Sequence, residues 1–237
     1  MVKRGKRYNA ALASLEPDSV YSAQDAVSIV KKNATSKFDE TIELHLKTGA
    51  DPRHADQMLR GISILPHGTG KNVRTLVFCE GDAIDIALGA GAEYAGSDEL
   101  ISDVEGGWLE FDVSIATPDI MGKISKLGRI LGRKGLMPNP RTGTVVPPDD
   151  IAKAVEDSKK GRIEFKLDRN AIVHVPIGKA SFEEQKLIDN LATLMDTLLR
   201  AKPSGVKGDF LKTAFLTTTM GPSVSLDIAD ISNLEVK

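Results

Sequence analysis

Ile42, Leu44 and Leu46 alternate with Glu43, His45 and Lys47, and Ile163, Phe165 and Leu167 alternate with Glu164, Lys166 and Asp168. A period of two puts apolar residues on one face of a strand and polar ones on the other, so each segment predicts a strand with a dry and a wet face, as in an antiparallel sheet. Two amphipathic helices are predicted to cover it. One runs from Ser22 to Asn33, its Ser22/Asp25 start resembling a capping box; the other runs from Ser181 to Ala201, with Ser181/Glu184 as a fuller box. Neither end of the chain holds enough strands to close a sheet alone. The two ends are therefore expected to pair, forming one two-layer α/β sandwich.

The middle of the chain reads differently. Val73 to Cys79 is a short apolar run, helical spacing follows through Ala83, Ile86, Ala87 and Ala90, and Phe111 to Ala116 predicts another strand. The amphipathic series Ile120, Ile124, Leu127, Leu131 comes next, and a helix from Asp149 to Lys159 starts after Pro147-Pro148. Strands alternating with helices predict a parallel sheet with helices on both faces, a three-layer α/β unit. The whole reads as an α+β outer domain, residues 1–67 plus 160–237, with an inserted domain, residues 68–159. The joints fall at Pro66 to Lys71 and Ser158 to Gly161, where Gly68, Gly70 and Gly161 are candidate hinge residues.

Charge sharpens this division. Glu80 to Asp119 contains no Lys or Arg, whereas Met121 to Arg141 contains no acid and carries Lys123, Lys126, Arg129, Arg133, Lys134 and Arg141. The formal net charge of -2 argues against a generally basic nucleic-acid binder, so local concentration must decide. Hydrophobic residues at 41% and charged residues at 27% exclude a disordered chain. The longest stretch free of charge, Thr213 to Leu226, is rich in Thr, Ser, Gly and Pro, while a spanning helix needs about 20 apolar residues. The basic start at Met1 to Arg7 lacks the apolar segment of a signal peptide, since Glu16, Pro17 and Asp18 interrupt it. With Cys79 as the one cysteine, no internal disulfide or zinc ligand set is expected, and a cytoplasmic protein without cofactor fits.

Enzyme motifs fail on their own spacing. Gly68-Thr69-Gly70-Lys71 has Leu65 where a phosphate loop needs glycine and Asn72 where it needs Ser or Thr. Gly89-Ala90-Gly91 has Tyr94 at the third glycine position of a dinucleotide fingerprint and follows a helix rather than a strand. Cys79 lies in an apolar strand, and no Gly-x-Ser-x-Gly elbow occurs. A small-ligand or nucleotide-binding regulatory protein that uses the inserted domain is the alternative reading. Two segments suit RNA better. The acid-free run to Arg141 interleaves cations with glycines that admit a phosphodiester close to the backbone. Phe215 to Ser223 ends in three threonines and Met220-Gly221-Pro222, offering hydroxyls and an exposed thioether of the kind that 2′-hydroxyls and unstacked bases accept. Lys37 to Thr41 has a similar mixture, and His45 and His174 fall on wet strand faces, where surface or RNA contact is expected.

Four stretches in order carry a resemblance: Lys37 to Thr41; Leu65 to Lys71; Lys126 to Gly132 with Gly135 to Pro140; and Thr217 to Ser223. Joined by Gly178 to Phe182, they resemble the L-one family of bacterial large-subunit ribosomal proteins nearly end to end. The resemblance implies a Rossmann-like inserted domain and a monomer when free that binds large-subunit rRNA in the mobile stalk through its outer domain. It further implies help to deacylated exit-site tRNA in leaving and repression of translation from its own operon mRNA. By motif, the RNA contacts are Lys37, Phe38, Thr41, Thr217, Thr219, Met220 and Gly221, with Arg53, His174, Lys179 and Ser223 as neighbours. Lys126, Arg129, Arg133, Lys134 and Arg141 form a secondary RNA contact. Where the family pattern has Gly-Pro-Arg-Gly, this chain has Gly132-Arg133-Lys134-Gly135, which implies a looser loop; residues 227–237 match no known pattern.

Overall fold

The computed structural model describes residues 4–16 and 19–234. In chain order its elements are α1 (Lys6–Ala13), α2 (Ala23–Asn33), β1 (Thr41–Thr48), β2 (Arg60–Ile64), β3 (Thr75–Phe78), α3 (Ala83–Gly89), β4 (Tyr94–Gly96) and α4 (Asp98–Glu105). They continue with β5 (Val113–Ala116), α5 (Met121–Ile124), α6 (Gly128–Lys134), α7 (Ile151–Lys159), β6 (Arg162–Lys166), β7 (Ile172–Lys179), α8 (Glu184–Arg200), β8 (Leu211–Thr218), β9 (Val224–Leu226) and α9 (Ile228–Ser232). The chain forms two compact units, Met1–Gly70 with Ile163–Lys237, and Lys71–Arg162.

The outer unit is built on a four-stranded sheet of order β7-β1-β8-β9 whose described pairings are antiparallel. Its central strand β1 comes from the first part of the chain and its neighbours from the last. The period-two reading holds: Ile42, Leu44 and Leu46 are buried, together with Val173, Val175 and Ile177 of β7 and Ala214 and Leu216 of β8. Helices α2 and α8 close this dry face with Ala26, Val27, Val30, Leu187, Leu191, Leu194 and Leu198. Strands β2 and β6 form a separate two-stranded sheet whose Ile163 and Phe165 join the same core.

Ser22 caps α2 as expected, its hydroxyl accepting from the Asp25 N–H at 3.2 Å. The second expected box does not form. Helix α8 starts at Glu184 with Glu183 as an N-cap that makes no side-chain cap bond, because the Ser181 hydroxyl is engaged by Asp39 instead. Asp227 caps the short α9 through the Ala229 N–H, so the tail that matched no pattern contains a capped helical turn. Met1, Val2 and Lys3 of the basic start, with Pro17, Asp18 and residues 235–237, lie outside the described residues.

The inserted unit holds the parallel sheet β4-β3-β5. All four residues of β3 are buried, since its two faces are both covered. Leu76 and Phe78 pack with α4, α5 and α6 through Ile101, Val104, Ile124 and Leu131; Val77 and Cys79 pack with α3 and α7 through Ala83, Ala87, Ile151 and Val155. That is the expected three-layer arrangement. Ile86 is a correction: placed on the buried stripe by its spacing, it is 42% exposed, because the short α3 turns the small Ala83 and Ala87 to the sheet. The Gly132 to Gly135 segment is a second correction. It is the end of α6 rather than a loose loop, with Gly135 left-handed at φ 73° and the Leu136 N–H closing on the Leu131 carbonyl at 2.9 Å.

Candidate nucleic-acid interface

Register brings most of the expected site residues to one end of the four-stranded sheet. Thr41, the first residue of β1, lies opposite Lys179, the last of β7, and the Lys179 ammonium donates to the Thr41 hydroxyl at 2.8 Å. On the other side of β1, Thr219 follows β8; its N–H donates to the Thr41 carbonyl at 3.1 Å and its hydroxyl accepts from the Thr41 N–H at 3.1 Å. Beside them stand Lys37, exposed, and Phe38 and Met220, which are 54% and 50% exposed. Exposed side chains of that size on a well-packed domain are available platforms for a flat apolar partner such as a base. Thr217 turns its hydroxyl back toward the carbonyls of its own loop, Gly221 and Pro222 among them. Gly221 has no room for a side chain, since a Cβ there would overlap the Thr218 hydroxyl.

Other expected residues stand apart from this group. His174 lies two rows further along the wet face, opposite His45, with the two Nδ1 atoms 2.7 Å apart. Burial lowers the His45 pKa, the neighbouring His174 adds to this, and Glu43 opposes it. Ser223 is exposed just before β9, at a cleft of about 500 Å³ lined also by Leu12, Leu15, Tyr21 and Phe215. Arg53 follows the opposite end of β1 from Thr41, a strand length away.

Two residues that sequence reasoning missed hold the site together. Glu40 is only 2% exposed, and its two carboxylate oxygens accept from the Ser36 N–H and the Met220 N–H, each at 3.0 Å. Burial pushes this carboxyl up, but the N–H groups of Met220 and Ser36, with the Ser36 and Thr218 hydroxyls beside them, outweigh it and leave the pKa below the usual carboxylate value. Asp39 accepts from the N–H and hydroxyl of Ser181 at 3.0 and 2.7 Å. An acidic pair at the start of a strand reads as solvated surface; only the fold shows that each has a partner far along the chain.

In the inserted unit, Lys126, Arg129, Arg133, Lys134 and Arg141 are all exposed. Among the described residues none of the five enters an ion pair, whereas their neighbour Lys123 is held by Glu80 at 2.8 Å and Asp98 at 3.1 Å. Gly122, Gly128, Gly132 and Gly135 have nothing within 4 Å of where a Cβ would be. Packing does not require these glycines, which leaves a smooth, positively charged surface open to a polyanion.

The joint glycines share left-handed backbone, Gly68 at φ 69°, Gly70 at φ 73° and Gly161 at φ 96°. Gly68 and Gly70 are fastened to the outer unit: the Asn190 side chain bonds the His67 N–H and the Gly68 carbonyl, and Lys179 and Phe182 crowd Gly70. The dinucleotide-like glycines Gly89 and Gly91 lie at the C-terminal end of α3, where carbonyls rather than N–H groups point outward. The turn from β3 into α3 carries Glu80 and Asp82, and the first turn of α3 carries Asp85, a poor cradle for phosphate. No described helix is long and apolar enough to cross a membrane, and the described residues contain no cluster of three or more metal-ligating side chains.

Known proteins resemble this chain throughout. A Dehalococcoides mccartyi protein named large ribosomal subunit protein uL1 is 53% identical over 232 residues, covering 98% of both chains. Proteins of the same name from Chloroflexus aggregans and Chloroflexus aurantiacus are 51% and 50% identical, covering 100% and 99% of this chain and 100% of each relative. The profile of the ribosomal protein L1p/L10e family matches residues 30–222, which include the clustered end of the sheet, both joints and the inserted unit. With that match and these relatives, the chain belongs to the ribosomal protein L1p/L10e family, whose members are structural rather than enzymatic.

Proposed function

We propose that this protein is a structural constituent of the large ribosomal subunit, ribosome-bound in the cytoplasm, and that it binds large-subunit rRNA with the end of its four-stranded sheet. The carrying observation is the convergence of Lys37, Phe38, Thr41, Lys179, Thr219 and Met220 from three separate parts of the chain into one rim of hydroxyls, cations and exposed apolar groups. This mixture suits RNA, which offers 2′-hydroxyls and unstacked bases as well as phosphates. Much of the rim is already internally bonded: the Thr219 and Thr217 hydroxyls are engaged by their own backbone, leaving Phe38, Met220, Lys37 and the remaining valence of Lys179 to meet the ligand.

The unpaired cations Lys126, Arg129, Arg133, Lys134 and Arg141 support a second, electrostatic contact, which we assign to exit-site tRNA as it leaves. We further propose that the sheet rim binds the protein's own operon mRNA when that message presents a look-alike of the rRNA site, repressing translation. The test is binding to a transcript of the rRNA stalk region against a scrambled transcript, with wild type and Met220→Asp. Tight binding that the substitution abolishes while the fold persists is expected; equal affinity for both transcripts would sink the assignment.

A further inference from the structure

An RNA face is a costly place for negative charge, yet Asp39 and Glu40 sit directly beside Phe38 and Thr41. Like-signed phosphates brought close to them are repelled. Their hydrogen bonds give the reason for their presence. Glu40 joins the segment from Ser36 to the loop after β8 through the Met220 N–H, and its carbonyl accepts from the Ala180 N–H at 2.8 Å. Asp39 joins the same segment to the turn between β7 and α8 through Ser181, while Lys31 of α2 donates to the carbonyl of Phe182 in that turn. Three segments are thus fastened at one place: the one before β1 that carries Lys37 and Phe38, the turn that follows Lys179, and the loop that carries Met220.

We propose that Asp39 and Glu40 are positioning residues for the RNA face, two adjacent carboxylates that clasp the segment bearing Lys37 and Phe38 to the turn just after Lys179 and to the loop bearing Met220. The inference rests on the RNA-binding reading above. Adjacent in sequence, the two reach different partners, so the segment between α2 and β1 is fixed from both sides. The rim is then organised before RNA arrives, and the ordering of Phe38 and Met220 is not charged against affinity at the moment of binding.

The sign of the mutational effect separates this role from simple electrostatics. Removing either charge reduces repulsion and by itself strengthens RNA binding; opening the clasp weakens it. The experiment measures affinity of full-length wild type, Glu40→Gln, Asp39→Ala and the contact control Met220→Asp for a transcript of the rRNA stalk region, with a scrambled transcript beside it. Thermal unfolding establishes that each variant is folded at the assay temperature. Both carboxylate variants are expected to bind about tenfold or more weakly, the loss that follows from one broken hydrogen bond to a charged group, with the slope of affinity against salt unchanged because neither side chain touches phosphate. Amide spectra give the readout a general structural role would not move: the Ser36 and Met220 N–H signals shift together as Glu40 is titrated in the wild type and not in Glu40→Gln. If the buried Glu40→Gln does not fold, the exposed Asp39→Ala decides. Unchanged or tighter binding by folded variants, while Met220→Asp loses it, overturns the clasp and leaves the RNA reading standing; wild type that binds neither transcript overturns both.

Discussion

The rim of the outer unit and the basic surface of the inserted unit, the two surfaces proposed above to meet RNA, are built by opposite means. At the rim most polar groups are bonded to another part of the chain, the groups left over are Phe38, Met220 and Lys37, and even the glycine, Gly221, is demanded by the atoms around it. On the inserted unit five cations stand without ion-pair partners among the described residues, and Gly122, Gly128 and Gly132 among them are demanded neither by packing nor by backbone conformation. A surface of the first kind selects by shape and stacking, since its geometry is set in advance. One of the second kind attracts through counterion release and tolerates any backbone that fits. The two are distinguishable by which perturbation each one feels.

The largest effect is expected at the rim. Phe38→Ala should weaken rRNA binding by about 1 to 3 kcal/mol, the worth of one base stacked on an aromatic ring. The slope of log affinity against log salt should stay the same, and a titration showing a changed slope would mean that Phe38 acts through charge after all.

Acid distinguishes the units next. The Lys71 ammonium, at 2.6 Å, and the Arg74 N–H and guanidinium hold the Asp112 carboxyl at about 2, below its ordinary value of 3.8, against an opposing effect of burial. A depressed carboxyl contributes stability that is complete above its unfolded value and lost as pH falls through the folded one. Between about pH 4 and pH 2 the inserted unit should therefore lose at most about 2 kcal/mol. Trp108, the single tryptophan, packs against Tyr94 and Phe111 in that unit, so its fluorescence reports the loss. Asp112→Asn should remove this part of the pH dependence.

Arg133→Gln should do what Phe38→Ala does not. One lost phosphate contact reduces the salt slope by about 0.7 to 0.9 and lowers affinity about fivefold at 0.15 M salt. A rim-like loss with unchanged slope would erase the distinction between the two surfaces.

The smallest effect is the most discriminating, because one substitution should change sign between the two places. Gly132→Ala in α6 meets open space and should stabilise the inserted unit by about 0.5 to 1 kcal/mol, read as a raised melting temperature. Gly221→Ala forces a Cβ against Thr218 and should destabilise the outer unit and weaken RNA binding. Equal responses at the two glycines would mean that the rim is as unconstrained as the helix.

What the chain reveals without its fold divides along the same line. The alternation around Leu44 and the short apolar run that contains β3 are local patterns, and they mark burial correctly, on one face in the first and on both in the second. The exposed cations of α6 are equally legible, since an unpaired charge needs no partner to be recognised. Ser181 reads as a helix cap in the sequence, but its hydroxyl bonds Asp39, 142 positions away, rather than the helix beside it. Glu40 hides for the same reason: a carboxylate reads as surface until the loop that covers it, 180 positions later, is in place. Local periodicity carries the elements, and distant pairing carries the site.

The strand order β7-β1-β8 also has a consequence in time. Synthesis delivers β1 long before either neighbour, for Thr41 waits 138 positions for Lys179 and 178 for Thr219. At about 5 to 20 residues per second, that last wait is on the order of ten to thirty seconds. Meanwhile the inserted unit, whose strands all lie between Thr75 and Ala116, has its whole sheet in hand and is free to fold first. Until β7 arrives β1 has two unpaired edges, and the charges of Glu43 and Lys47 on its wet side discourage a neighbouring nascent chain from adding to them. The rim comes into being only when β8 docks; on the proposed assignment, affinity for RNA would be acquired late in synthesis, and a partly made chain would not compete with finished molecules for the same site.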